Sequence, residues 1–513
     1  MPANLQFDTV IIFHGGLLLT CLLMLWSRQQ ATPQRAPHNA LQKQHHACCT
    51  RRDWSEASEN TVRFSSSGLF SMALADCSEQ QIGLDYPYGD INVTTTVSAE
   101  ACCDLCSQTA DCKLWVWSPK DATGGGAQHC WLKHAINEPR QASIQIAGKA
   151  PLPAPKWSDK FRGWHYYNGQ YDGFVVPPSP VDPATGKKIA DGQATTCSIA
   201  LEATPESKLK GSYRMFYTIF DGSGYRTALA TSDDLLAWDF SPGVVFDRSE
   251  AAGLFDYGGV TFGCPLYGNA SITGPRTMKK VNGKYWMAYG AYPLRGLEQG
   301  SGADGIAWSL DGDIWEREST SVPFMSVEGA AAWESSVIYQ PNLVLHDGNV
   351  YDFYNAKGST GNEQSGLATI SLSDFPGVDT SAGVSQWQRN PASPLIRNGP
   401  KGSVDTQMAS DPKVWYDEEL GCWVMFYFGL GDGSGGHADI MAARSSDLIT
   451  WEKDPEPIYK AGGHPAGIDD RHAHKVSLIY KDGVGYLYYT AIGKKGNGIA
   501  LLTSQPLGSA MLV

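Results

Sequence analysis

Basic residues are in short supply. Lysine and arginine number 40 against 53 aspartates and glutamates, a formal charge of −13. A nucleic-acid partner needs a basic face to meet phosphate, so this balance argues against one. It suits a carboxylate-lined pocket for a neutral or cationic ligand instead. Cysteine is scarce over most of the chain: beyond Cys130 only Cys197, Cys264 and Cys422 remain of 12. A pair of Cys-x-x-Cys knuckles is lacking, which argues against a structural zinc site. Charge is lacking from Thr9 to Trp26, where Ile11, Ile12, Phe13, Leu17 to Leu19 and Leu22 to Trp26 form an apolar run. At about 18 residues the run suits a signal-anchor or a signal-peptide core. No basic residue precedes it and no small-residue cleavage site follows, which favours the anchor. Residues 1–30 are therefore read as signal-anchor or signal peptide, and 31–70 as a polar linker. Uncleaved, the segment makes the membrane a partner. The chain is expected in the secretory pathway, either secreted or anchored facing the lumen or the outside.

What the chain does hold is unevenly placed. Cys77, Cys102, Cys103, Cys106, Cys112 and Cys130 crowd into 54 residues. Such a cluster reads as a disulfide framework made in an oxidising compartment. Asn92-Val93-Thr94 and Asn269-Ala270-Ser271 are glycosylation acceptors in that setting. Ser98 opens a short helix over Ala101–Cys106. Lys113–Trp117 alternates like a strand, and Cys130–Lys133 reads as another. With the closing Ile146-Ala147-Gly148, this unit over residues 71–150 resembles a PAN/apple domain. The resemblance implies a recognition module for a protein or a glycan, not a catalyst. A proline-rich linker follows.

From about residue 159 a repeat takes over. Its first half is an apolar strand, a turn and an aromatic strand: Arg276 to Tyr289, Asn342 to Tyr354, Lys413 to Tyr427, and Val476 to Tyr489, with a degenerate copy ending at Tyr217. The Asn282-Gly283, Asp347-Gly348 and Asp482-Gly483 pairs mark hairpins, since both turn positions need positive φ. The second half is a small-residue strand, a Ser-Asp turn and a tryptophan, as at Ser232 to Trp238 and Ser445 to Trp451. Five copies of a four-stranded unit over residues 159–513 predict a five-bladed β-propeller, in which radial repetition hides the sheet edges. The fold class is thus mostly β, a propeller preceded by a small disulfide-rich α+β module.

In a propeller the inner strands converge on one channel. Aligning the residue before Pro275, Pro341, Pro412 and Lys475 places Gly274, Gln340, Asp411 and His474 in one ring. Six residues earlier stand Glu334, Asp405 and Ile468, with Asp469 adjacent. Glu334, Asp405, Asp411, Asp469 and His474 are therefore expected around one cavity, with types that suit acid–base chemistry on a sugar. His472 and His474 point the same way on a strand. They suit sugar hydroxyls, a phosphate held with Arg471 and Lys475, or a channel cation such as calcium; no other cofactor is implied, and no metal ligand is assigned.

The hairpins, the Ser-Asp turns and Ala409-Ser410-Asp411-Pro412-Lys413-Val414 resemble the superfamily of family 43, 32 and 130 glycoside hydrolases and phosphorylases. The resemblance implies Glu334 as the acid, Asp411 as the carboxylate that tunes it, and Asp172 as the base. Arg276, Trp333, Asp405, Asp469, Arg471, His472 and His474 then bind substrate. The expected function is hydrolysis of an oligosaccharide or polysaccharide by paired carboxylates. A non-catalytic glycan-binding propeller and a phosphate-dependent phosphorylase are the alternatives. Gly274-Pro275 stands where an Asp-Pro is expected, and no Asn-Asp-Pro-Asn occurs.

Overall fold

The computed structural model describes residues 80–119, 128–135, 137–138, 140–149, 156–180 and 195–507. The apolar segment before Trp26, the polar linker, Cys77 and the prolines at 151–155 lie outside these residues. Among the described residues no helix is long and apolar enough to cross a membrane.

The described residues between 80 and 149 form a five-stranded antiparallel sheet and one helix, Ala99–Gln108. Ser98 caps the helix, its Oγ accepting the Ala101 N–H at 3.1 Å. This satisfies one of the free amides at a helix start. The helix turns Cys102, Cys103 and Cys106 inward against Trp115, Cys130 and Leu132. Cys102 bonds Cys130 and Cys106 bonds Cys112, and Cys103 is disulfide-bonded as well. The oxidised framework read from spacing is therefore present. Cys102–Cys130 closes a loop with a sequence separation of 28. Loss of that loop constraint costs about 3.5 kcal/mol in the chain-entropy account. The Cys102→Ser/Cys130→Ser pair should make this module trypsin-sensitive under conditions where the parent resists. Equal resistance would show that the bridge contributes little.

The rest of the described chain is a five-bladed propeller. The inner strands of blades 1 to 5 are Thr195–Glu202, Gly259–Pro265, Val337–His346, Met408–Asp417 and His472–Lys481. Each pairs antiparallel with the next strand of its own blade. Neighbouring blades touch near the start of the inner strands, where Glu363 bridges Met408 and Ala438 bridges His472. The ring closes in two ways. His165–Tyr166 adds to the last strand of blade 5 (Gly496–Thr503), and the Ala200 N–H of blade 1 donates to Ser477 Oγ of blade 5 at 3.0 Å.

The repeat is built from local chemistry. Asn282-Gly283, Asp347-Gly348 and Asp482-Gly483 all have positive φ, as the hairpins demand. In the second half, Ser232 Oγ accepts the Leu235 N–H while Asp234 Oδ1 accepts those of Leu236 and Ala237. Ser445 and Asp447 repeat the turn in blade 4, and Ser309 and Asp311 repeat it in blade 2. Trp238 and Trp315, six residues after the serine, are buried behind it.

Blade 2 departs from the sequence reading. Its inner strand is Gly259–Pro265, and Arg276 to Lys279 is no part of it. The Asn282-Gly283 hairpin joins only the short strand Lys280–Val281 to Lys284–Tyr292, whose length pairs with Gly259–Pro265. Gly274 therefore does not join the ring with Gln340. The segment before that hairpin crosses beneath the propeller instead. Ile272 N–H donates to Tyr416 O of blade 4 at 2.7 Å, and Tyr416 N–H returns a bond to Ala270 O. Arg276, almost wholly buried, donates to the carbonyls of Leu478, Ser271 and Ile272. Burial pulls its guanidinium down to about 10, so it still carries charge at neutral pH. It lies over the rings of Tyr267 and Trp415 and closes the far end of the axis.

Candidate functional site: the mouth of the propeller axis

Every inner strand slips register once along its length. In blades 3, 4 and 5 the slip puts Gln340, Asp411 and Lys475 in the left-handed region, at φ 59°, 58° and 55°. Non-glycine residues seldom sit there, and such strain clusters at functional sites. Lys475, not His474, therefore matches Gln340 and Asp411. His474 matches Ser410 and Tyr339, one residue earlier. The offset arises because blade 5 carries Lys475-Val476 where blades 3 and 4 carry an X-Pro pair.

Just past the slip, Cys264, Asn342, Lys413 and Ser477 surround the axis. Asn342 Nδ2 donates to Cys264 Sγ at 3.2 Å, and its Oδ1 accepts the Val414 N–H at 3.0 Å. Lys413 Nζ donates to Asp411 Oδ1 at 2.9 Å, with both side chains buried. The space left between them, about 20 Å³, has room for roughly one water. The axis is therefore closed at this level, which leaves the start of the inner strands as its open mouth.

Two buried aspartates flank this plug. Asp352 Oδ1 accepts the Asn342 N–H at 3.0 Å, while its Oδ2 has no partner. Burial pushes Asp352 up to about 7, against the pull of the Asn342 N–H and Lys413. Asp304 is raised too, by burial and then by Asp352, and neither of its oxygens has a partner. A carboxyl raised on folding keeps its proton longer in the native state than in the unfolded one. Its contribution to stability therefore falls as pH climbs from about 4 towards 7. Asp352→Asn should match the parent at pH 4 and exceed it at pH 8 in denaturant melts. An equal loss at both pH values would contradict the assignment.

The mouth has two chemically distinct junctions. Between blades 3 and 4, Ser410 Oγ donates to Glu363 Oε2 at 2.7 Å, with Asn355 Oδ1 also in contact. Asn355 Nδ2 donates to Glu363 Oε2 at 3.3 Å, and Lys357 Nζ pairs with Glu363 Oε1 at 3.0 Å. Burial pushes Glu363 up, but Lys357, Tyr339 and Ser410 outweigh it and hold it below the ordinary carboxylate range. It is an anion built into the strand next to Asp411. Between blades 4 and 5 stand His472 and His474, both half-buried. His472 Nδ1 accepts the Ala438 N–H at 3.0 Å, and His474 Nδ1 meets Thr490 O at 3.2 Å. Burial, then Arg471 and His437, lowers His472 to about 4. Burial, then Lys475, lowers His474 well below its ordinary value.

Three of the carboxylates expected to share one cavity are each bound inside their own blade. Glu334 Oε2 accepts the Tyr354 hydroxyl at 2.6 Å and pairs with Arg389 at 3.2 Å. Asp405 Oδ2 accepts Tyr427 at 3.1 Å and Lys453 at 2.6 Å. Asp469 Oδ2 accepts Tyr459 at 2.7 Å and Tyr489 at 3.0 Å. Tyr354, Tyr427 and Tyr489 hold one position in the second strands of their blades. Rotational equivalence thus repeats the acid inside each blade and does not gather the acids at the axis. Trp333, next to Glu334, stacks on Tyr354 with ring centroids 6.0 Å apart. Asp172 sits on an exposed turn at φ 56°, paired with Lys495 at 2.8 Å. Arg276, expected to bind substrate, is instead bonded to the carbonyls of Leu478, Ser271 and Ile272 at the opposite end of the axis from His472. Arg471 is exposed, its carbonyl facing His437 Nδ1. Among the described residues no three His, Cys, Asp or Glu side chains gather as metal ligands. Glu363 was missed because it opens a third strand with no motif around it. The tyrosines that capture the other acids are visible in the sequence, 20, 22 and 20 residues after each.

Residues 84–133 match the family model described as PAN domain. Residues 270–467 match that of the glycosyl hydrolases family 32 N-terminal domain. No curated protein matches the chain by sequence. Among solved structures, a complex of BT0996 with RGII is 21% identical at a TM-score of 0.54, over 68% of this chain and 94% of that one. Another, described as "Glycoside hydrolase", is 20% identical at a TM-score of 0.51, over 66% and 93%. The chain therefore shares the five-bladed propeller fold of glycoside hydrolase structures and carries, ahead of it, a segment similar to the PAN domain.

Proposed function

We propose that the propeller is a glycosidase-type enzyme acting on a carbohydrate held at the mouth of its axis, across blades 3, 4 and 5. The observation that carries this reading is the Glu363–Ser410–Asp411 run. It sets an anionic carboxylate beside a strained, lysine-paired aspartate where the inner strands begin. Glu363 is assigned to the reacting centre, where an anion stabilises an oxocarbenium-like transition state or attacks it. Asp411 is a positioning residue that acts through Lys413. Turnover of a panel of aryl glycosides and oligosaccharides tests the reading; no hydrolysis of any of them by the full chain would remove it.

One observation favours a second reading, a glycan-binding propeller without hydrolysis. Both carboxylates at the mouth have lysine partners, and Glu363 is held ionised, which leaves the leaving oxygen without a carboxylic acid to protonate it. Glycan-array binding without turnover would select this reading. The disulfide framework supports a place in the secretory pathway, since such bridges persist where thiols are not kept reduced. The PAN-like module is assigned to recognition of a protein or a glycan.

A further inference from the structure

We propose that His472 and His474, in opposite tautomers, form a donor–acceptor pair that reads two neighbouring hydroxyls of a neutral sugar at the junction of blades 4 and 5. The proposal rests on the carbohydrate reading and narrows it to a substrate class. The two side chains leave one face of the inner strand, and their ring centroids are 6.0 Å apart. His472 Nδ1 receives a backbone N–H from Ala438, so its own proton must sit on Nε2. His474 faces the Thr490 carbonyl with Nδ1. A carbonyl only accepts, so Nδ1 must carry the proton there and Nε2 keeps a lone pair. Phe428 packs edge-on against His474 at 5.3 Å and fixes the ring.

The free nitrogens are therefore one donor, on His472, and one acceptor, on His474. Burial and the cationic neighbours Arg471 and Lys475 oppose a second proton on either ring. A hydroxyl both gives and takes a hydrogen bond, so two adjacent hydroxyls can satisfy both nitrogens at once. An ionised carboxylate can only accept and would face the lone pair of His474. An ammonium group can only donate and would face the N–H of His472. The pair thus favours a neutral diol over either ion.

The test uses the full chain labelled with ¹⁵N-histidine at pH 7.5. Long-range ¹⁵N–¹H correlation identifies the tautomer of each ring, with His472→Phe and His474→Phe supplying the assignments. The expected result is a proton on Nε2 of His472 and on Nδ1 of His474. The same tautomer at both, or a charged ring at either, overturns the proposal. The methyl glycosides of glucose, galactose, mannose and arabinose are then added at millimolar concentration. At least one should shift both imidazoles, and its deoxy analogue at a contacted hydroxyl should bind about tenfold or more weakly. Rings undisturbed by all four overturn the pair. Rings shifted while no member of the aryl glycoside and oligosaccharide panel is hydrolysed keep the pair and reject the glycosidase; hydrolysis of that panel with undisturbed rings does the reverse.

Discussion

Glu363→Gln is expected to lower glycoside turnover by at least about a hundredfold, the scale that accompanies loss of a group acting on the reacting atoms. The change keeps size and leaves an oxygen for Ser410, but it removes the charge that Lys357 balances. The chain should still fold, with unchanged circular dichroism, at a cost in stability comparable to that of Glu334→Gln, since each removes the anion of a buried ion pair. Asp411→Asn should act differently. Asparagine tolerates the left-handed backbone that Asp411 adopts, and its oxygen can still accept from Lys413. The expected effect is a smaller fall in rate with a displaced pH–rate profile, because the charge that Lys413 balances is gone. Glu334→Gln should leave turnover within about twofold while costing stability, since its partners Tyr354 and Arg389 belong to its own blade. Turnover that survives Glu363→Gln and disappears with Glu334→Gln would restore the sequence-based acid assignment.

Arg276→Leu is expected to destabilise the propeller by roughly 3–5 kcal/mol. Leucine fills much of the space, but three buried carbonyls on two separate stretches of chain lose their donor together. The guanidinium is also the tie between the crossing segment of blade 2 and the inner strand of blade 5. A fall in melting temperature of roughly 4–7 °C should follow, at about 1.4 °C per kcal/mol for a propeller of this size. Lys in its place should recover only part of the loss, because an ammonium cannot reach three carbonyls with the geometry of the fork. A melting temperature within about 2 °C of the parent would mean that the crossing segment is held by Ile272 and its apolar neighbours alone.

The blade count was legible because each blade is written in local chemistry. Paired turn residues with positive φ and a Ser-Asp turn ahead of tryptophan need no long-range information. The inner strand of blade 2 was not legible, because Arg276 to Val281 imitates the apolar half of a hairpin that in fact lies at the blade's edge. The register of blade 5 was off by one for want of a proline. The larger error concerned symmetry. Equivalent positions in a propeller are equivalent relative to their own blades, and that equivalence alone does not bring them together at the axis. Glu334, Asp405 and Asp469 lie ahead of the inner strands and fold back onto second-strand tyrosines. Asp411 lies within its inner strand and does reach the axis. Glu363 was illegible in principle, since it depends on Ser410 and Lys357 arriving from either side.

The most direct measurement is a crystal structure of the full chain bound to the oligosaccharide that a glycan array selects. The account predicts sugar at the start of the inner strands, with hydroxyls bonded to His472 and His474 and a ring carbon or ring oxygen turned towards Glu363. Sugar seated on the blade sides, on the PAN-like sheet or around Asp172, with that mouth vacant, would contradict it.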